Sequence, residues 1–214
     1  METNRIKLKT IGFAIAAVLV VETLAAWVKA PPAAAIIIVG VARCLEVLIL
    51  LGITSLAEPR GIQALGIFLN RIRDGLLRGG IWSAGFGFMV LLGAVLLKMA
   101  GISARNLIAA DLPTSLPSLL AFLVVGGIIS PVAEEIFFRG LVFGYLRRWG
   151  AWAAIGISTA LFVMAHASLQ GVPFPQIVGG VLFALAYEKE KNLLVPITIH
   201  VLGNLAIFAV ATVA

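Results

Sequence analysis

The chain is poor in charge. Lys, Arg, Asp and Glu make up 12% of its 214 residues, about half the roughly 25% of a soluble domain. It has one cysteine, Cys44, so no intrachain disulfide can form. In its apolar run that thiol reads as a small buried packing residue rather than a reactive group. No internal repeat or linker marks off a second unit, and the length suits one domain, two at the outside. No A-x-A cleavage pattern follows the apolar run 11–28, although Arg5, Lys7 and Lys9 precede it. That run reads as a retained transmembrane helix, not as a secretory signal.

Apolar length is what the chain has in excess. Hydrophobic residues are 61% of it and the mean hydropathy is +1.10. Several runs reach the ~20 residues that a bilayer-spanning helix needs. The expected fold is an all-α polytopic bundle with about seven spans, near 11–28, 33–53, 80–100, 118–147, 151–168, 174–188 and 193–213. Pro31 and Pro32 mark the first turn, and the sixth span is short enough to be tilted or partly re-entrant. Between the second and third spans, Ile62, Leu65, Leu69, Ile72 and Leu76 follow a helical period with Arg71, Arg73 and Arg78 between them. That pattern predicts an amphipathic helix over 60–79 lying in the membrane surface. Residues 1–110 are then N-terminal membrane helices with this interfacial helix, and 111–214 a helical core that carries the chemistry.

The net charge is +6 and the sequence pI about 10.0. The basic residues sit in short loops, where they set topology and touch anionic lipid rather than nucleic acid. With a cytoplasmic N-terminus, one side holds Arg5, Lys7, Lys9, Arg60, Arg71, Arg73, Arg78, Arg147, Arg148, Lys189 and Lys191. The other holds Lys29, Lys98 and Arg105. This asymmetry predicts seven spans with the C-terminus outside. The small size suits a protein of the bacterial inner (plasma) membrane.

Ionisable groups inside spans cost several kcal/mol unless paired or hydrated, and they mark functional candidates. Here they form two groups. Arg43 and Glu46 are i,i+3 neighbours, and Glu22 can meet Arg43 across the first hairpin; this reads as a structural ion-pair cluster. The second group is richer. Glu135 and Arg139 stack at i,i+4, Glu134 points about 100° away, and Pro131 removes a backbone hydrogen bond just before them. The turn Arg147–Arg148–Trp149–Gly150 makes a tight hairpin of the fourth and fifth spans. Glu134 and His166 are almost equally far from that turn, so they lie at one depth. A glutamate and a histidine together in a dry site can hold and deprotonate water. In the last span His200 and Asn204 share a face, and both can donate to an oxyanion. By residue count from its own turn, His200 lies lower than Glu134 unless the four–five hairpin protrudes into the cytoplasm or its helices tilt.

These residues resemble the motifs of the CPBP intramembrane proteases (CAAX proteases and bacteriocin-processing enzymes), related to the type II CAAX prenyl endopeptidase. The family pattern EExxxR, FxxxH and then HxxxN or HxxxD reads here as "EEIFFR" at 134–139, "FVMAH" at 162–166 and "HVLGN" at 200–204. The resemblance covers roughly 118–208. It implies that Glu134 activates water with help from His166, that Glu135 and Arg139 support the site, and that His200 and Asn204 polarise the substrate or hold the oxyanion. Phe162 takes a packing role. No cofactor is certain. A divalent metal such as zinc matches Glu134, His166 and His200 by ligand type, but there is no HExxH pair and the chemistry works without metal.

The expected function is an endopeptidase acting on a membrane-associated or lipidated peptide, which enters among spans four to seven from a side the sequence does not select. Its partners are membrane lipids and that substrate; no oligomeric state is implied. Two rivals remain at this point: a proton-coupled carrier, against which no inverted repeat is visible, and a catalytically silent membrane scaffold.

Overall fold

A computed structural model describes residues 6–101, 112–166 and 174–212. Arg5 and Arg105 of the charge count lie outside the described residues. Among the described residues there are seven long helices and no strand. They are α1 (Leu8–Trp27), α2 (Pro32–Ala57), α3 (Ile72–Met99), α4 (Leu116–Trp149), α5 (Ala151–Ala165), α6 (Phe174–Glu190) and α7 (Leu194–Thr212). Five, α1 to α4 and α7, are long and apolar enough to cross a membrane, whereas α5 has 15 residues and α6 has 17. The fold is the expected all-α membrane bundle.

Successive helices run up and down, so alternate helix ends gather at the two ends of the bundle. One end is basic, and its contacts fasten the helices together. Lys7 Nζ donates to Ala57 O at 2.8 Å, and Arg148 Nη2 donates to Ile6 O at 2.6 Å. Arg147 pairs with Glu188 and Arg78 with Glu190, each at 2.7 Å. Cations at this boundary meet carboxylates without entering the apolar layer.

The stretch 60–79 differs from expectation. It is not one interfacial helix. Gly61–Leu65 and Leu69–Arg71 are short 3₁₀ turns, and α3 begins at Ile72, not near 80. Tertiary packing splits the apolar stripe. Leu65 is fully buried, against Gly140 of α4, while Leu69, Ile72 and Leu76 stay exposed. Gly66, at φ +80°, ends the first turn in a conformation that suits glycine, and its carbonyl accepts from Leu193 N at 3.0 Å. Gly75 and Gly79 then share a face of α3 and let α7 approach. A Cβ on Gly75 would come within 2.8 Å of Leu194, and one on Gly79 within 2.5 Å of Thr198.

This packing settles the depth of His200. Leu193, just before α7, contacts Gly140, several residues short of the Arg147 end of α4. The α4–α5 hairpin therefore protrudes past the start of α7 by roughly 10 Å, at ~1.5 Å per residue. Seven residues into α7, His200 is level with Glu135.

Candidate active site

The site forms where α4 departs from α-helical geometry. Two π-helical stretches, Val125–Ile129 and Ile136–Phe143, flank the turn Ser130–Glu135. Such bulges rotate the helix face and recur at functional sites. In the first stretch Ser130 N reaches back to Val125 O. The next donor in that i to i−5 run, the one that would serve Gly126 O, falls on Pro131, which has no N–H. A backbone carbonyl left bare inside a membrane is costly. Asn204 Nδ2 supplies the missing donor, at 2.9 Å from Gly126 O. One N–H of the amide expected to hold the oxyanion thus serves the interruption made by Pro131.

A stability test follows. Asn204→Ala should destabilise the protein by about 1–3 kcal/mol, the cost of an unsatisfied buried acceptor. Pro131→Ala restores an N–H near Gly126 O, so the same asparagine change made on that background should cost clearly less. Thermal melting of the four proteins of the cycle checks this; equal costs on both backgrounds would contradict the pairing.

Glu134 and Glu135 face different partners, as adjacent helical residues must. Glu135 is completely buried. Its Oε1 takes Arg139 Nη1 at 3.2 Å and His200 Nδ1 at 2.9 Å. Arg139 is equally buried and donates through Nη2 to Gly180 O at 3.1 Å. Its guanidinium lies 4.5 Å from the ring centre of Phe162 and 5.3 Å from that of Phe183, a cation–π setting that partly replaces water. Gly180 is small for a reason: a Cβ there would come within 2.9 Å of Thr159 Cγ2. Neither Phe183 nor the Gly180 carbonyl carries a signal in sequence, since both belong to an ordinary apolar run.

Glu134 lies at the meeting point of three helices. Its Oε2 is 3.5 Å from His166 Nε2, at the end of α5, and 3.7 Å from His200 Nε2 on α7. Both imidazoles are oriented from behind. His166 Nδ1 donates to the Phe162 carbonyl at 2.8 Å, which can only accept. His200 Nδ1 donates to the Glu135 carboxylate. Each neutral ring therefore presents an Nε2 lone pair to Glu134. His200 stacks on Phe183 and His166 leans on Phe162, with ring centres 4.5 and 4.4 Å apart. Phe162, itself buried, does the packing expected of it. Access is graded: side-chain exposure is 28% at His166, 14% at Glu134 and 7% at His200.

The Glu22, Arg43 and Glu46 cluster forms as its spacing suggests. Arg43 Nη1 lies 2.6 Å from Glu22 Oε1 and 2.7 Å from Glu46 Oε2. It is not remote from the second group. Arg43 is within electrostatic reach of both Glu134 and His166, because α2 packs against α4 along the first π stretch and Ser130–Glu135.

Two imidazoles and a carboxylate match a catalytic zinc ligand set by donor type. Among the described residues, however, no group of three such side chains is placed to hold an ion.

Residues 116–206 match the family described as type II CAAX prenyl endopeptidase, Rce1-like. This stretch contains Glu134, Glu135, Arg139, His166, His200 and Asn204. The likeness to CAAX proteases covers this stretch, about two fifths of the chain. The chain is similar to the membrane-embedded CAAX protease MroQ of Staphylococcus aureus (strain USA300), 37% identical over 90 residues, or 39% of this chain and 36% of that protein. It is also similar to the UPF0177 protein YxdF of Lactococcus lactis subsp. lactis (strain IL1403), 24% identical over 147 residues, 66% of this chain and 82% of that protein. The matched stretch thus spans about a third of the length of the CAAX protease relative. No solved structure matches the chain. The matched stretch begins at α4, so α1 to α3 lie outside it even though α2 packs on its π stretch.

Proposed function

We propose that the chain is an intramembrane endopeptidase in which Glu134 takes a proton from a water molecule as that water attacks a peptide carbonyl. The convergence of two imidazole Nε2 atoms on one Glu134 oxygen, at 3.5 and 3.7 Å, supports this reading best. Those separations are too long for good direct hydrogen bonds and suit a bridging water. His166, the most accessible of the three, orients the water. His200 is braced at Nδ1 by Glu135, as a carboxylate braces the histidine of a hydrolytic triad. Once protonated at Nε2 as well, His200 donates from there to the oxyanion. Glu134 then returns its proton to the leaving amine, and the water is added across the broken bond. Asn204, held on Gly126 O, positions α7 against α4 rather than reaching the substrate.

The substrate is a membrane-associated or lipidated peptide. The protein sits in a bacterial inner membrane with its basic end, and its N-terminus, in the cytoplasm. Purified protein in liposomes should release peptide fragments, and a metal chelator should leave the rate unchanged. Loss of activity on chelation with recovery on adding zinc would replace this mechanism by a metal-assisted one.

A further inference from the structure

The seven helices are packed unevenly along their length. On α1 no residue after Ala14 is buried, on α3 none after Gly79, on α5 none after Phe162 and on α7 none after His200. These four helices start at the basic end. The three that run the other way show the reverse: burial begins only at Gly40 on α2, Gly127 on α4 and Gly179 on α6. All the helices therefore close around one core in the basic half, with Leu65, Phe143 and Leu193 fully or almost fully buried there. In the other half, among the described residues, few side chains are buried and the helices meet only in pairs, α2 with α4 at Gly40 and Val125 and α4 with α7 through Phe122 and Phe208, whose ring centres are 4.8 Å apart. Glu134, His166 and His200 lie at the boundary, and α5 ends at their level with Ala165.

Water needs a route to Glu134. Toward the basic end that route is closed: from Glu135 to Leu146 every residue of α4 is buried except Phe137 and Tyr145, which are half-buried. A second observation marks the other direction. The side chains of Glu22 and Arg43 are 43% and 25% exposed, although both lie within apolar spans. Charged groups so placed face a water-filled space, not lipid. Glu22 is close to the α1 end at Trp27, opposite the basic end.

We infer that the active site opens away from the basic end, onto the extracytoplasmic side of the membrane, and that its water and its peptide substrate enter there. The bundle is a cup with its floor toward the cytoplasm. Glu22 and Arg43 form part of the hydrated wall, with Glu46 buried behind them. The peptides it can act on are those presented at the outer half of the bilayer. The inference rests on the proposed protease reading for the word substrate, and on the cytoplasmic placement of the basic end for the side.

Cysteine labelling tests it without requiring turnover. In a Cys44→Ser background, which removes the one native thiol, single cysteines are placed by Glu22→Cys in the wall, Lys29→Cys at the open end and Trp149→Cys at the basic end. Gly203→Cys is a second wall probe, three residues past His200, where an added Cβ meets nothing within 4 Å. A membrane-impermeant methanethiosulfonate reagent is applied to intact cells and to inside-out vesicles. The wall probes should react together with Lys29→Cys in cells and stay silent in inside-out vesicles, where Trp149→Cys alone should react. The inference is overturned if the wall probes react with Trp149→Cys, if Lys29→Cys is reached only from the cytoplasmic side, or if both wall probes stay silent while both end markers react. A chain that labels as expected yet never cleaves a peptide would leave the open side standing and remove the protease reading.

Discussion

Glu134→Gln abolishes peptide cleavage while leaving the fold intact. The amide keeps the shape of the side chain and can still donate to a histidine Nε2, so the helices have little reason to move. It cannot accept a proton from water at working pH. General-base catalysis contributes typically about 10²–10⁴-fold, and turnover should fall by at least the lower figure. Thermal melting and peptide binding should stay near wild type, because Glu134 makes neither the buried ion pair nor the core contacts. His166→Ala should fall less steeply, since it orients the water without taking its proton. A Glu134→Gln protein that cleaves at the wild-type rate would refute the role of this carboxylate.

Arg139→Ala acts on folding. The Arg139 and Glu135 side chains are both fully buried, 3.2 Å apart, and the guanidinium is also held by Gly180 O and two aromatic rings. Removing one partner of a buried pair costs about 3–5 kcal/mol, because the remaining charge has no compensation. The stranded Glu135 would also hold His200 less firmly. Folded yield in detergent and the melting temperature should drop, and cleavage should drop with them. The conservative change Arg139→Lys should recover only part of the loss, since an ammonium cannot reach Glu135 and Gly180 as a planar fork does. If Arg139→Ala melts like wild type, the pair does not contribute as its burial implies.

Much of this was legible from hydropathy and spacing. Seven helices, the α4–α5 hairpin and the common depth of Glu134 and His166 follow from apolar run lengths and residue counts on either side of Arg147–Gly150. The i,i+4 pairing of Glu135 with Arg139 and the link from Arg43 to Glu22 and Glu46 are local or hairpin-level facts, and local spacing is enough to find them. What escaped depends on register or on distant packing. The role of Asn204 needs the π stretch before Pro131, and nothing in "VVGGIISP" distinguishes i−5 from i−4 bonding. The helix expected over 60–79 had a sound period, but Leu65 is drawn into the core and Gly75 and Gly79 are taken up by α7. The nearness of Arg43 to Glu134 depends on how α2 lies against α4. Neither the aromatic box around Arg139 nor the looseness of one half of the bundle has a compositional trace, because apolar residues facing lipid and apolar residues facing each other look alike in a membrane sequence.

The most direct test of the central claim is the mass of what the wild-type protein makes. Purified protein in liposomes, given a defined mixture of membrane-inserting peptides, should convert at least one of them into two fragments whose masses sum to the parent plus one water. Those fragments should be missing when Glu134→Gln replaces wild type. A parent peptide that crosses the bilayer unchanged, or stays bound and intact, would contradict hydrolysis and make the chain a carrier or a scaffold.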